Sequence, residues 1–382
     1  MLERLLSLVL VGKHAMPDGP RFLFVACQVG AERAVKGELA RRWPGFRFAF
    51  SRPGFLTFRL PENHRLRANF DLESVFARSY GFSLGKSVGK DDGELARGVW
   101  EWFGARPVQR IHVWQRDTAA PGNGGFEPSI TPAATQAHCA IRRYCPRPEM
   151  LSPEDADLLQ PARRGELVLD CCLVEPSEWW VGYHRVRETP SRWPGGIMPL
   201  RLPADAVSRA WLKMEEALRW SELPIGKGAR CVEIGSSPGG ATQALLARGI
   251  VVTGIDPAEM HPSVLEHPNF SHIRRKAMAV RRREFRKIRW LTADMNVAPE
   301  YTLDCVEAIV THPEVSIRGL LLTLKLPQWK LADEIPEYLA RVRTWGYNVV
   351  RARQLQTNRR EICVAGLQRP FRRKPFARRK GN

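Results

Sequence analysis

The sequence predicts an α/β fold class, with an α+β region preceding the α/β part. Three observations predict it. Apolar runs in the C-terminal half, ARCVEI (229–234), IVVTGID (250–256), IRWLTAD (288–294) and LLLTLKLP (320–327), have the length and composition of buried strands. A Gly-containing turn and a helical stretch separate the first two of them. Residues 21–60 instead follow a strand, helix, strand, strand rhythm, which suits a small ferredoxin-like module.

In chain order, residues 1–20 read as an extension. Their apolar stretch LLSLVLVG is too short to span a membrane, and Glu3 and Arg4 precede it without a cleavage pattern behind it. Met16 is an alternative start. RFLFVACQVGAERAVKGELARRW (21–43) reads as strand, loop and amphipathic helix, and FRFAFSRPGFLTFRL (46–60) as paired strands. GELARGVWEWFGARPVQRIHVWQRD (93–117) reads as helix then strand. PGNGGFEPSITP (121–132) reads as a loop from its Gly and Pro content. ELVLDCCLVEPSEWWVGYHRV (166–186) reads as a hairpin, with Trp179 and Trp180 as packing residues. The expected organisation is an extension (1–20), a ferredoxin-like module (21–90), a second region (91–190), an α/β domain (191–368) and a basic, core-poor tail (369–382) expected to be disordered.

The segment from Ala229 to Asp256 is strand, Gly turn, helix, strand, acid. Pro238 can open a helix, Gly239 and Gly240 tolerate close approach and positive φ, and Gly249 suits the helix end. A carboxylate at the tip of the second strand accepts hydrogen bonds from ribose hydroxyls, so the arrangement fits an adenosine cofactor. The turn is not GxGxxG and holds no P-loop lysine, which argues against dinucleotides and nucleoside triphosphates. An ordinary strand–helix connection containing Gly-Gly is the competing reading.

Four further residues are chemical candidates. Asp294 ends an apolar run, and Lys325 lies among leucines, where a charge is costly to bury without partners. Lys213 lies in the helical stretch SRAWLKMEEALRW, and Glu361 opens the apolar run EICVAG. Taken singly, each also reads as a solvated or strand-edge side chain. Their order along the chain is what makes them a set.

With these words in place, the chain resembles the FtsJ-like ribose 2′-O-methyltransferases. Within that superfamily it is most similar to the bacterial large-subunit ribosomal RNA (cytidine-2′-O-)-methyltransferase M family. WPGGIMPLRLPADAVSRAWLKMEEA (193–217), EIGSSPGG (233–240), TLKLP (323–327) and NRREI (358–362) carry the resemblance. It is strong in the C-terminal half and loose before it. The resemblance implies a Rossmann-like S-adenosylmethionine-dependent methyltransferase domain preceded by a THUMP-like RNA-binding region at 91–190. It implies a catalytic Lys–Asp–Lys–Glu tetrad of Lys213, Asp294, Lys325 and Glu361, with Lys325 at the 2′-hydroxyl. S-adenosyl-L-methionine is expected against Ser208, Glu233, Gly235, Ser237, Pro238, Gly239, Gly240, Asp256 and Asp294. Two departures stand out. Ala241 follows the Gly-Gly where the family has an aromatic, and the family's adenine-side acid has no counterpart near Lys276.

Composition agrees with an RNA partner. The chain carries 59 basic and 40 acidic residues, a net charge of +19, and such an excess favours polyanions. The densest basic run, HIRRKAMAVRRREFRKIRW (272–290), reads as phosphate contact or as a solvated helix face. The eight cysteines form no CxxC pair and the nine histidines show no ligand spacing, so no metal is expected and a reducing cytoplasm fits. Large-subunit ribosomal RNA is the expected partner of a monomeric enzyme, with no membrane. An RNA-binding pseudo-methyltransferase, or a ribose methyltransferase of transfer RNA or an mRNA cap, are the alternatives.

Overall fold

The computed structural model describes residues 20–368. The expected extension (1–20), apart from Pro20, and the expected tail (369–382) lie outside the described residues. The chain divides into two units. One runs through Pro199 and takes in Gln356–Arg359; the other comprises Leu200–Leu355 and resumes at Arg360.

The first unit runs β1 (Phe22–Cys27), α1 (Glu32–Arg42), β2 (Arg47–Arg52), β3 (Phe55–Arg59), β4 (Ala77–Val88), α2 (Asp92–Phe103), β5 (Arg110–Gln115), α3 (Pro132–Arg143), β6 (Leu167–Glu175) and β7 (Glu178–Arg185). Its seven strands form one sheet in the order β2-β3-β1-β4-β7-β6-β5. β4 pairs with β1 on one side and β7 on the other, so the boundary expected near residue 90 falls within a continuous sheet. The next boundary lies at Leu200 rather than 191. One sheet face packs Leu95, Val99 and Phe103 of α2 and Ile141 of α3 against Leu169 and Val181. The other packs Phe24, Phe55, Trp114, Cys172 and Ile197 together. Trp179 is buried, and Trp180 packs against the Phe50 and Phe55 rings.

α3 begins where the sequence reads as the end of a loop. Its start signals are present: the Thr131 side chain accepts from Ala134 N at 3.2 Å, and Pro132 occupies the first helical position. The segment 356–359 is tied by side chains. Met198 N donates to Gln356 Oε1 at 2.6 Å and Gln356 Nε2 donates back to Met198 O at 2.9 Å. Arg359 donates to the carbonyls of Pro121 and Gly122 at 3.0 and 3.2 Å.

The second unit runs α4 (Ala210–Ser221), β8 (Arg230–Ile234), α5 (Gly240–Ala247), β9 (Val251–Ile255), α6 (Pro262–Leu265), β10 (Phe270–Ile273), β11 (Trp290–Ala293), α7 (Pro299–Val310), β12 (Gly319–Lys325), α8 (Ile335–Thr344), β13 (Val349–Arg353) and β14 (Glu361–Leu367). The sheet order is β10-β9-β8-β11-β12-β14-β13, parallel from β10 to β12, with β14 antiparallel to both neighbours. This is a Rossmann-like sheet. The chain leaves β8 toward β9 and β10, then returns to β11 on β8's other side. The order therefore reverses between β8 and β11, and the crevice at their carboxyl ends is where such sheets bind ligands.

The basic run 272–290 takes up the end of β10, 3-10 turns at Ala277–Ala279 and Arg282–Phe285, and the start of β11. It is not a helix face. Several of its arginines have protein partners: Arg283 with Glu284, Arg286 with Glu314, and Arg289 with the Ser316 carbonyl. No helix among the described residues is long and apolar enough to cross a membrane.

Candidate active site

The four expected catalytic residues come together. Lys213 projects from α4, which is held by its buried Leu212, Met214 and Leu218. Asp294 follows β11 directly, and its N–H donates to Ile234 O at 3.1 Å, fixing it beside the end of β8. Lys325 is the last residue of β12 and Glu361 the first of β14, and the antiparallel register sets them opposite each other. Lys325 Nζ lies 2.5 Å from Glu361 Oε2 and 2.8 Å from Asp294 Oδ1. Lys213 Nζ lies 2.5 Å from Glu361 Oε1 and 3.8 Å from Asp294 Oδ2. Two cations and two anions thus alternate in a closed, mostly buried cluster.

The charges decide a question that sequence leaves open. Burial works against a charged Lys325, but Asp294 and then Glu361 outweigh it and hold the lysine above its ordinary pKa. Burial likewise opposes ionised Glu361, and Lys213 and Lys325 overcome it, drawing the carboxyl down to about 2. At neutral pH the lysine is an ammonium and the glutamate a carboxylate.

The residues expected around a cofactor gather at the turn between β8 and α5. Gly235 has φ +78°, and a Cβ there would stand 2.6 Å from Asp294 O, so glycine lets β8 end hard against the Asp294 backbone. Ser237 N donates to Asp256 Oδ2 at 3.1 Å, and Ala258 N donates to Oδ1 at 2.8 Å. These bonds orient a carboxylate that keeps lone pairs for further donors. Pro238 precedes the helix, which begins at Gly240 with Gly239 as its cap residue. Gly240 is required by packing: a Cβ would collide with Ser208 Oγ. Ser208 therefore sits against the start of α5.

Glu233 stands apart from the other turn residues. It is 2% exposed and accepts a 2.5 Å hydrogen bond from Thr242 Oγ1. Burial raises its pKa to about 8, with Asp294 and Asp256 adding to the rise and Thr242 opposing it. Its folded pKa exceeds its unfolded one. Its stabilising contribution is therefore present below the ordinary carboxylate range and lost as pH rises toward about 8. Glu233→Gln keeps a partner for Thr242 without the ionisation. Melting curves across pH should show the variant gaining on wild type between about pH 5 and 8, by on the order of 1 kcal/mol or more. A variant equally destabilised at alkaline pH would contradict the buried, neutral acid.

Gln243 carries more than a helix former's role. Its Oε1 accepts from Val207 N at 2.7 Å and its Nε2 donates to Asp205 O at 3.2 Å, tying the segment before Ser208 to α5. An amide in a helix's first turn, after Gly-Gly, is the signal that could have marked it. At the tip of β10, Arg274 pairs with Glu259 and donates to Pro257 O, and no acid stands in the strand's last turn, in line with the departure noted near Lys276.

Comparison with known proteins bears on the C-terminal half. Residues 206–382 match the family model described as FtsJ-like methyltransferase. These residues are similar to FtsJ-like methyltransferase domains. The Ribosomal RNA large subunit methyltransferase M of Halorhodospira halophila is 34% identical over 189 residues, covering 48% of this chain and 53% of that one. Its namesake in Tolumonas auensis is 32% identical over 214 residues, covering 52% and 56%. That in Edwardsiella ictaluri is 32% identical over 225 residues, covering 55% and 58%. The chain thus matches little more than half the length of these relatives. The matched stretch begins just before Ser208 and contains the whole ion cluster.

Proposed function

We propose that this chain transfers a methyl group from S-adenosyl-L-methionine to the 2′-hydroxyl of a ribose, a cytidine's, in large-subunit ribosomal RNA. The observation that carries the reading is the closed Lys213–Asp294–Lys325–Glu361 cluster beside the β8–α5 turn. The names of the relatives support the RNA target, and the +19 net charge supports a polyanionic one.

The cofactor supplies the methyl group as a sulfonium substituent. Asp256 would accept from its ribose hydroxyls, the Gly235–Gly240 turn would lie along it, and Asp294 would border its methionine end. Lys325 acts on the substrate oxygen. Because Asp294 and Glu361 keep it protonated, it enters as a hydrogen-bond donor that stabilises negative charge growing on the 2′-oxygen. The S–CH3 bond breaks as the O–CH3 bond forms, and the 2′-hydroxyl proton leaves to water, because Lys325 as an ammonium cannot accept it. Glu361 holds its ammonium in place, and Lys213 holds the other oxygen of Glu361.

Selection of the target nucleotide falls to the first unit, whose region 91–190 we read as THUMP-like. A chain of residues 191–382 keeps the cofactor turn and the cluster. It should bind S-adenosylmethionine and bind RNA weakly, with steep salt dependence, but methylate mixed RNA without preference. Methylation of the same single nucleotide with undiminished selectivity would remove the first unit from recognition. Failure of the full chain to bind the cofactor at all would favour the pseudo-methyltransferase.

A further inference from the structure

Three adjacent strands of the first unit bring His112 (β5), Asp170 (β6) and His184 (β7) to one place. The register sets His112 beside Asp170, and Asp170 beside Gly182, two positions from His184. All three are buried, at 1%, 1% and 4% exposure. One ligating atom of each lies within 4.8 Å of the others.

Their hydrogen bonding is incomplete in an informative way. His184 Nε2 lies 2.9 Å from the Ser191 carbonyl, which can only accept, so that nitrogen carries the proton. Its Nδ1 faces Asp170 Oδ2 at 2.6 Å. Neither ring nitrogen of His112 has a hydrogen-bond partner among the described residues, and neither does Asp170 Oδ1. Burying such groups unpaired carries a desolvation cost that a partner would relieve. An imidazole and a carboxylate oxygen with unused lone pairs, beside a second imidazole, call for a shared electrophile.

We propose that His112, Asp170 and His184 bind a divalent first-row transition ion, of which zinc is the natural probe. Two imidazoles and a carboxylate are a donor set that zinc accepts, with a water in the fourth position. The Ser191 carbonyl on His184 Nε2 is the outer hydrogen bond that fixes a ligating histidine's tautomer and aim. Binding would take His184 Nδ1 and the Asp170 carboxylate from each other onto the ion, with both imidazoles neutral. The neighbouring cation on the same strand, Arg110, is already opposed by Glu166 at 3.7 Å. An ion here would tie three strands of the sheet together and stabilise the folded unit, because the unfolded chain offers no such site. The spacing of 112, 170 and 184 hides the cluster in sequence. Only strand pairing assembles it.

The test uses the full chain, stripped with a chelator, incubated with excess zinc and desalted. Wild type should retain about one zinc per chain and melt at a higher temperature with zinc than without. His112→Ala breaks no hydrogen bond, so it should fold, retain almost no zinc and show no zinc-dependent shift. Cobalt(II) in zinc's place should give visible bands without a thiolate charge-transfer band. Three results would overturn the proposal: no zinc retained by wild type, as for a cluster bridged only by water; equal zinc in His112→Ala; or a thiolate band, which would move the metal to the cysteines. Should His112→Ala not fold, wild-type stoichiometry and the cobalt spectrum decide alone.

Discussion

Lys325→Ala should cut single-turnover methyl transfer by roughly 10²-fold or more and should leave cofactor affinity close to wild type. The side chain ends 2.8 Å from Asp294 Oδ1 and 2.5 Å from Glu361 Oε2, at the C-terminal end of β12. Its removal takes away the donor for the 2′-oxygen. It does not strand the acids, because Lys213 stays within 2.5 Å of Glu361 and 3.8 Å of Asp294. The fold should therefore survive, and the loss should appear in the chemical step. Single-turnover rates at saturating cofactor, beside calorimetric affinity for S-adenosylmethionine, check both halves. Near-normal turnover would remove Lys325 from the reaction.

Glu361→Ala should act on the fold as well as on the reaction. Glu361 is 3% exposed and sits between two lysines, one on each carboxylate oxygen. Without it, two ammonium groups face each other with only Asp294 to oppose them. Breaking a buried pair from one side costs about 3–5 kcal/mol. The lysines are 20% exposed, and water reaching them brings the expectation to about 2–3 kcal/mol. Denaturant unfolding measures it. Glu361→Gln should lose less stability, because the amide still fills the space. If Glu361→Ala is as stable as wild type, the cluster is not electrostatically coupled as described.

The fold and site differed in how readily sequence gave them away. The β8–α5 turn was legible because its chemistry is local: an apolar run, a Gly-Gly, a helix former and an acid after the next run all fall within one βαβ unit. The four charged residues were legible as a set only from their order along the chain and from family resemblance. Lys325 and Glu361 meet because β12 and β14 pair antiparallel in one register, and no spacing rule places two such strands side by side. The same limit hid His112, Asp170 and His184. It also led to a division at residue 90, because nothing local says that β4 will pair with both β1 and β7. α3 was missed for another reason. Its Thr131–Pro132 start was present, but the Gly-rich stretch before it dominated the reading. Glu233 looked like part of the cofactor turn because it lies two residues before Gly235, yet strand alternation turns it inward to Thr242.

The most direct test of the central claim is a nucleotide-resolution map of ribose methylation on total RNA from cells lacking this protein, re-supplied with wild type or with Lys325→Ala. One 2′-O-methylated cytidine in large-subunit ribosomal RNA should be absent without the protein, restored by wild type and not restored by Lys325→Ala. An unchanged large-subunit map in the cells lacking the protein, or restoration by Lys325→Ala, would contradict the account.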